Sequence, residues 1–343
     1  MSNENKESQS GSIEKIKKEL SPGLVESLIN EPSAHYIHIL LLRELQSNAI
    51  FTTNGEDADI ATVGISAEDG LVDYSPVMMF KRKQTGSDRR KGKELQRNFL
   101  GITDTMDVNK MNQESPESML YGSAAGENAV SVTSRVMYDT AYSIRDSSVI
   151  IEEKFQNAPG DNFAKGPTSA IREPDFIIPG TLFPCVVTLR DATFEELLFV
   201  LGITKMNKRY GAVTSRIGRM QNHILGIYSG IEEGTANLVL SQEVARRLAI
   251  ENGKLNKENL NHVLYSPVLD VEKVKTLVKQ AFDEEAKTLS IEPLGDHDKE
   301  KLLEYTTSET LKEALECQKE KASTFFHSVS EKPPKEKKSR GKK

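Results

Sequence analysis

Residues 183 to 201 read FPCVVTLRDATFEELLFVL, residues 224 to 228 read ILGIY, and these two runs decide the fold. The apolar stretch 183 to 189 has the length and composition of a buried strand. Thr193 and Glu196 have the spacing of a capping box, in which each side chain satisfies the other residue's backbone N–H where a helix begins. Apolar residues follow at helical spacing, at positions 194, 197, 198 and 201.

The order of these elements predicts the architecture. A strand, an amphipathic helix, a loop containing glycines and a second strand make a βαβ-type unit. More apolar runs of strand length precede it, at 36–42, 49–53, 60–65, 76–80, 131–144, 148–155 and 177–189. Together they predict an α+β fold, an RRM-like (ferredoxin-like) sheet with helices on one face.

Composition predicts four parts: a disordered start, a sheet region with inserted arms, a helical subdomain or lid, and a disordered basic tail. These parts are residues 1–12, 13–240, 241–328 and 329–343. Two long polar stretches, 101–130 and 156–175, interrupt the sheet region. Because loops of this length are uncommon in compact domains, we expect them to be functional arms.

Basic residues are segregated within an acidic chain of net charge -6. Residues 81–97 carry +6, residues 205–219 carry +5 and residues 332–343 carry +6, which leaves -23 for the rest. An acidic body with local basic strips repels nucleic acid in general and attracts it along a defined track. The alternative is a globular protein with a structural or protein-binding role, whose basic turns are merely solvated.

Other functions find little support. No run approaches the roughly 18 apolar residues of a membrane span, and the first residues lack the apolar stretch of a signal peptide, so we expect a cytoplasmic protein without a membrane partner. Cys185 and Cys317 are too few for a disulfide framework or a cysteine-rich zinc site. No P-loop, nucleophile elbow or dinucleotide fingerprint occurs. We predict no catalytic residue, no cofactor and no metal.

Two histidines and one acidic cluster are the remaining candidate sites. His35 and His38 are three residues apart in or beside a strand, so they point to opposite faces and do not form a metal pair. A general-base role for either, toward an RNA 2′-hydroxyl, stays open. The acidic cluster Asn54 to Asp59 lacks the glycine and terminal glutamate of an EF-hand loop and is interpreted as a solvated turn.

Four motifs, taken in order, resemble a known family. They are PESMLYGSAA at 116–125, SRVMYDTAYS at 134–143, PGTLFP at 179–184 and RYGAVTSRIG at 209–218. Their succession resembles the backbone subunit of type I-D CRISPR effector (Cascade) complexes, the Csc-two family of Cas-seven type in the RAMP superfamily. The resemblance covers about residues 30 to 240. It implies a modified RRM fold shaped like a hand, with palm, fingers and thumb, and several copies polymerised along one CRISPR RNA.

The resemblance also implies which residues contact the guide. The loop around Gly211 would approach its backbone, the segment 81–97 would line its groove, and a tyrosine could stack on a base. The RNA-binding residues predicted on this ground are Lys81, Arg82, Lys83, Arg89, Arg90, Lys91, Arg97, Arg135, Tyr138, Lys208, Arg209, Tyr210, Gly211, Arg216, Gly218 and Arg219. Some relatives bind zinc through cysteines where this chain has Pro116 and Ser118, so no zinc is predicted.

The expected function is therefore binding without catalysis. The chain would polymerise along the CRISPR RNA and present it for pairing with target DNA, beside large, small and Cas-five-type subunits. The thumb would be 101–130 or 156–175, and replacing 104–115 by a short linker is expected to leave the fold intact. A RAMP-type endoribonuclease acting on guide or target RNA is the alternative.

Overall fold

The computed structural model describes residues 3–107, 110–124, 131–156, 171–212, 217–250 and 253–330. Its α-helices are Asn3–Glu19 (α1), Lys81–Leu100 (α2), Pro116–Tyr121 (α3), Ser147–Ile150 (α4), Phe194–Met206 (α5), Asn237–Ala249 (α6), Lys257–Leu264 (α7), Val271–Ala286 (α8), Asp296–Tyr305 (α9) and Ser308–Ser330 (α10). Its strands are Tyr36–Leu45 (β1), Val63–Ala67 (β2), Gly70–Tyr74 (β3), Pro76–Met79 (β4), Val136–Tyr138 (β5), Ala141–Asp146 (β6), Ile151–Glu152 (β7), Phe155–Gln156 (β8), Ile171–Arg172 (β9), Phe176–Ile177 (β10), Leu182–Arg190 (β11), Arg209–Tyr210 (β12), Gly218–Gly230 (β13) and Ile291–Pro293 (β14). This mixture of helices and strands confirms the predicted α+β class.

A six-stranded antiparallel sheet forms the centre of the molecule. Five strands follow one another in the order β12, β13, β1, β11, β5, and the sixth, β14, pairs with β13. In β1, Leu41 lies opposite Cys185 of β11 on one side and Ile224 of β13 on the other. On its outer side, β13 pairs with β12 at one end and with β14 at the other. The three long strands contain the apolar runs 36–42, 183–189 and 224–228, which confirms those three predictions.

Both faces of this sheet are covered by helices. Along β1, Ile37 and Ile39 belong to one apolar cluster, whereas Leu40 and Leu42 belong to a second. Helices α1, α2, α5, α9 and α10 contribute to the first cluster, and α6, α7 and α8 contribute to the second. The prediction of helices on one face is wrong, because a strand that is apolar on both sides must bury both sides.

The capping box at the start of α5 is confirmed. The Thr193 hydroxyl accepts a hydrogen bond from the N–H of Glu196 at 3.4 Å, and the Glu196 carboxylate accepts one from the N–H of Thr193 at 2.9 Å. Behind this start, α5 is buried on almost every side and contacts α2 and α10. It is the central helix of the first face.

Both ends of the chain differ from the prediction. Helix α1 begins at Asn3, so most of the segment 1–12 is helical, and Ile16 and Leu20 anchor this helix in the core. Near the other end, β14 pairs with β13, and the buried Leu311 of α10 packs against Gly202 of α5. No separate helical subdomain forms from 241 to 328, because its elements complete the central sheet and its core. Residues 331–343, which include the basic tail, lie outside the described residues.

The polar stretch after α2 is fixed to the body of the protein. Asp104 accepts hydrogen bonds from Lys93 at 2.5 Å and from Ser115 at 2.7 Å, and Lys93 also lies 2.5 Å from Glu117. These side chains are all buried. These contacts weigh against the expectation that 104–115 can be removed without harm to the fold, because removal leaves a buried ammonium group with one partner fewer. Of the other thumb candidate, residues 157–170 lie outside the described part.

Two predicted strands have other conformations. The run 49–53 contributes an isolated bridge, between Ala49 and Ile177, and is otherwise irregular. The run 148–155 starts as the short helix α4, whose first turn is capped by the carboxylate of Asp146. None of the described helices is both long enough and apolar enough to cross a bilayer.

Candidate nucleic-acid interface

The two basic segments predicted from the sequence lie side by side. The hydroxyl of Ser87, in α2, donates a hydrogen bond to the backbone carbonyl of Arg209, in β12. One residue further along α2, Asp88 accepts a hydrogen bond from the side-chain amide of Asn207 at 2.7 Å. Two basic segments that are more than a hundred residues apart in the sequence therefore lie in neighbouring elements.

A loop comprising residues 46–53 joins the two segments. The N–H of Ala212 donates to the carbonyl of Ile50 at 2.9 Å, and the ammonium group of Lys83 donates to the carbonyl of Thr52 at 2.5 Å. This loop therefore contacts Ala212, which lies two residues after the end of β12, and also the first turn of α2. The apolar run 49–53 in this loop predicts a strand. Nothing in the sequence indicates that the loop connects the two basic segments.

Arg209 and Arg219 lie directly opposite each other on β12 and β13. Both side chains are exposed, and Arg209 donates to the carbonyl of Ile217 at 3.2 Å. Like charges placed directly opposite on neighbouring strands destabilise a sheet. A bound anion such as a phosphate removes that cost, because it attracts both guanidinium groups.

A third cation lies beside this pair. Lys208 is half-buried and donates to the side-chain carbonyl of Gln221 at 3.2 Å. Burial lowers the pKa of Lys208, and the positive charge of Arg219 lowers it further. Three cations, Lys208, Arg209 and Arg219, therefore lie close together at this end of the sheet.

The first turn of α2 adds more positive charge. It contains Lys81 and Arg82, both exposed, and no acidic residue. Arg90, two turns further on, is exposed as well. We use the name open basic face for five exposed cations of α2, β12 and β13 that form no ion pair within the described part of the chain, namely Lys81, Arg82, Arg90, Arg209 and Arg219. Arg97 is exposed too, but lies about 22 Å along the helix from Arg82 at 1.5 Å per residue.

Other predicted cations are occupied by partners within the protein. Arg89 donates to Glu117 at 2.6 Å, and Lys91 pairs with Glu94 at 3.0 Å. Arg135 forms a two-pronged ion pair with Glu196, the capping residue of α5. These pairs show Arg89 and Arg135 fixing α3 and α5 in place. Arg216 lies outside the described residues.

The predicted stacking role of Tyr138 and Tyr210 needs correction. The Tyr210 ring is fully buried and the Tyr138 ring nearly so, and both hydroxyls donate to Asp88 inside the core. Burial raises the pKa of both phenols well above the usual value, so both remain proton donors. Neither ring presents a face on which a base could stack.

The two glycines of the basic loop also act inside the protein. Gly211 has a φ of 119°, and a Cβ there would lie 2.9 Å from the carbonyl oxygen of Ile50. At Gly218 a Cβ would lie 2.3 Å from the Cβ of Ala49. Both glycines are therefore required by the close approach of the loop 46–53, and their approach to the guide backbone stays a prediction.

The two histidines singled out in the sequence, His35 and His38, are held by neighbours within the protein. His38 is buried, with one ring nitrogen 3.0 Å from Thr188 and the other 3.0 Å from the carbonyl of Glu232. A proton relay through a histidine uses both ring nitrogens. In His35 a single nitrogen, Nδ1, faces both Ser33 and Asp191, so these two neighbours are not linked through the ring. Among the described residues, no three His, Cys, Asp or Glu side chains are grouped to hold a metal ion.

The family model described as Csc2 Crispr matches residues 23–313. The chain belongs to this family. The match confirms the resemblance that the four motifs predicted. A search of curated proteins found no match.

The fold is similar to that of a solved Csc2 structure, and chains of two solved CRISPR complexes match less well. The crystal structure of Thermofilum pendens Csc2 is 17% identical, with 92% of this chain and 98% of that chain covered and a TM-score of 0.58. A chain of a type IV-B CRISPR complex is 13% identical, with 55% and 89% covered and a TM-score of 0.39. A chain of a CRISPR RNA-guided surveillance complex is 8% identical, with 76% and 86% covered and a TM-score of 0.44.

Proposed function

We propose that this Csc2-family chain is a non-catalytic backbone subunit of a type I-D CRISPR effector complex, and that it binds the guide RNA along the open basic face. The observation that carries the proposal is the unneutralised pair Arg209 and Arg219, held beside the basic helix α2. A cross-strand arginine pair is unfavourable in the free protein and becomes favourable once a phosphate lies between the two side chains.

The division of labour follows from this chemistry. Guanidinium and ammonium groups neutralise phosphates without reading bases, so the protein holds the guide by its backbone and base pairing reads the target DNA. Further copies would join end to end in a heterologous interface, which gives an open helical filament. The large, small and Cas-five-type subunits would complete the complex in the cytoplasm.

The test is a double charge reversal, Arg209→Glu with Arg219→Glu. The variant replaces two positive charges by two negative charges at exposed positions, so repulsion between the two side chains is kept. The free energy of unfolding should therefore change by no more than about 0.5 kcal/mol. Binding of a labelled single-stranded RNA, measured by fluorescence anisotropy, should be lost. Lys273→Glu with Lys287→Glu is the matched control, because it makes the same change of charge at exposed positions on or next to α8, on the second face.

The result that overturns the proposal is equal RNA binding by the two double variants. The same samples test the absence of catalysis. Labelled RNA incubated with the wild-type protein should stay full length, with and without divalent cations. Cleavage that disappears in a His35→Ala variant would instead support the endoribonuclease alternative.

A further inference from the structure

One buried carboxylate, that of Asp88 in α2, connects the two outer strands of the sheet. Its Oδ1 accepts hydrogen bonds from the Tyr210 hydroxyl at 2.6 Å and from the Asn207 amide at 2.7 Å. Its Oδ2 accepts one from the Tyr138 hydroxyl at 2.9 Å. Tyr210 belongs to β12 and Tyr138 to β5, which are opposite edges of the sheet.

The same carboxylate is the counterion of a buried arginine. Arg43 of β1 is fully buried, and its NH2 group lies 3.5 Å from Asp88. Its guanidinium carbon lies 4.6 Å from the centre of the Tyr210 ring, and its Nε donates to the sulfur of Cys185 at 3.3 Å. Asp88 therefore has a fixed position, because moving it would separate it from the buried charge.

Strand β12 needs such an anchor. It consists of two residues, paired with β13 only at Arg209 opposite Arg219 and at Tyr210 opposite Gly218. The first of these pairs is repulsive, so the strand depends on its other contacts, which include the hydrogen bond from Ser87 to the Arg209 carbonyl and the inward-pointing Tyr210. Its hydroxyl is tied to Asp88, only two residues before Arg90 of the open basic face.

We infer that Asp88, Asn207 and Tyr210 are positioning residues for RNA binding: they fix β12 against α2 so that the cations of both elements contact phosphates of one strand. The inference rests on the proposed function. None of the three touches RNA. Their role is to set the spacing between Arg209 and Arg219 on one side and the cations of α2 on the other.

Tyr210→Phe and Tyr138→Phe form a matched pair for the test. Each removes one buried hydroxyl from Asp88, and each hydroxyl has one other partner, Asn222 or Tyr121. Both variants should therefore show a similar decrease of a few degrees in melting temperature. RNA affinity is measured across a salt series, because each phosphate of a single strand that the protein neutralises adds about 0.7 to the slope of log K against log salt.

The Tyr210→Phe slope should be shallower than the wild-type slope by the equivalent of one or two phosphates, whereas the Tyr138→Phe slope should be unchanged. Asn207→Ala, which removes the other donor to Oδ1, should act like Tyr210→Phe and serves if that variant does not fold. A wild-type slope in both Tyr210→Phe and Asn207→Ala overturns the inference and leaves the proposed function standing. Equal decreases in slope for Tyr210→Phe and Tyr138→Phe also overturn it, because they indicate general loosening. Wild-type protein without salt-dependent binding overturns the proposed function and this inference together.

Discussion

His38 shows at the residue scale how burial of a titratable side chain makes the stability of the folded protein depend on pH. The ring is fully buried between Thr188 and the carbonyl of Glu232. Burial lowers the pKa of His38 to about 4, despite the hydrogen bond to Glu232, which acts in the opposite direction. An uncharged imidazole satisfies both neighbours, with one nitrogen as donor and the other as acceptor.

Acid should therefore destabilise the protein through this residue. The unfolded chain binds a proton near pH 6.5 and the folded protein only near pH 4, so the contribution is complete at pH 7 and is lost as the pH falls between these values. The free energy of unfolding should drop by about 3 kcal/mol from pH 7 to pH 4. Urea unfolding of wild type and His38→Gln over this range measures the difference. Parallel curves for the two proteins would contradict the assignment.

Charged residues were the least predictable part of the candidate site. Arg209 and Arg219 are exposed as their chemistry suggests, whereas Arg89 and Lys93 are bound to Glu117 and Asp104. Their partners are eleven or more residues away in sequence, so nothing local distinguishes a buried cation from a solvated one. Tertiary pairing alone decides which cations of a basic segment remain free.

Elements with many apolar residues were predicted well. Strands β1, β11 and β13 each span nine or more residues, and α5 begins with a capping box, so periodicity and spacing identify them. Strands β12 and β14 have two and three residues and leave no pattern in the sequence. Helix α2 faces the core with Leu95 and with the polar residues Gln84, Ser87, Asp88 and Gln96, so its buried side carried little hydrophobic signal.

The segment after α2 provides a test at the scale of elements. Replacing residues 104–115 by a short Gly-Ser linker should lower the free energy of unfolding by about 3–5 kcal/mol, because Lys93 loses Asp104 in a buried site. Replacing only 106–110, which keeps Asp104 and Ser115, should cost under about 1 kcal/mol. Guanidinium unfolding compares the two variants. Equal stability of both would show that the Asp104 contacts contribute little.

At the scale of the whole molecule, the chain folds as one unit around its sheet. Helices from the two ends of the chain meet, since Lys15 of α1 lies 2.9 Å from Asp298 of α9. The last helix also reaches the central helix of the first face, since Lys321 of α10 lies 2.8 Å from Glu195 of α5. Composition changes near residue 240, but the apolar core does not end there. A boundary in composition is therefore not a boundary in packing here.

A fragment of residues 1–240 tests this point. It lacks β14, α7 to α10 and most of α6, so it exposes Leu40 and Leu42 on one face and much of α5 on the other. It should unfold without a cooperative transition and bind a hydrophobic dye, whereas residues 1–330 should melt like the full chain. Circular dichroism during heating is the measurement. A sharp transition in the shorter fragment would restore the boundary at residue 240 that composition predicts.

The outer edge of β13 is protected at both ends, which affects whether copies of this chain aggregate. An open strand edge invites the backbone of another molecule to pair with it, which leads to aggregation. Here β12 and β14 occupy the two ends of the outer edge of β13, and between them Lys299 donates to the carbonyl of Leu225 at 3.3 Å. A lysine at such an edge discourages a further strand. Separate copies of the chain are thereby hindered from joining through the backbone of β13, so any contact between copies at this edge depends on side chains.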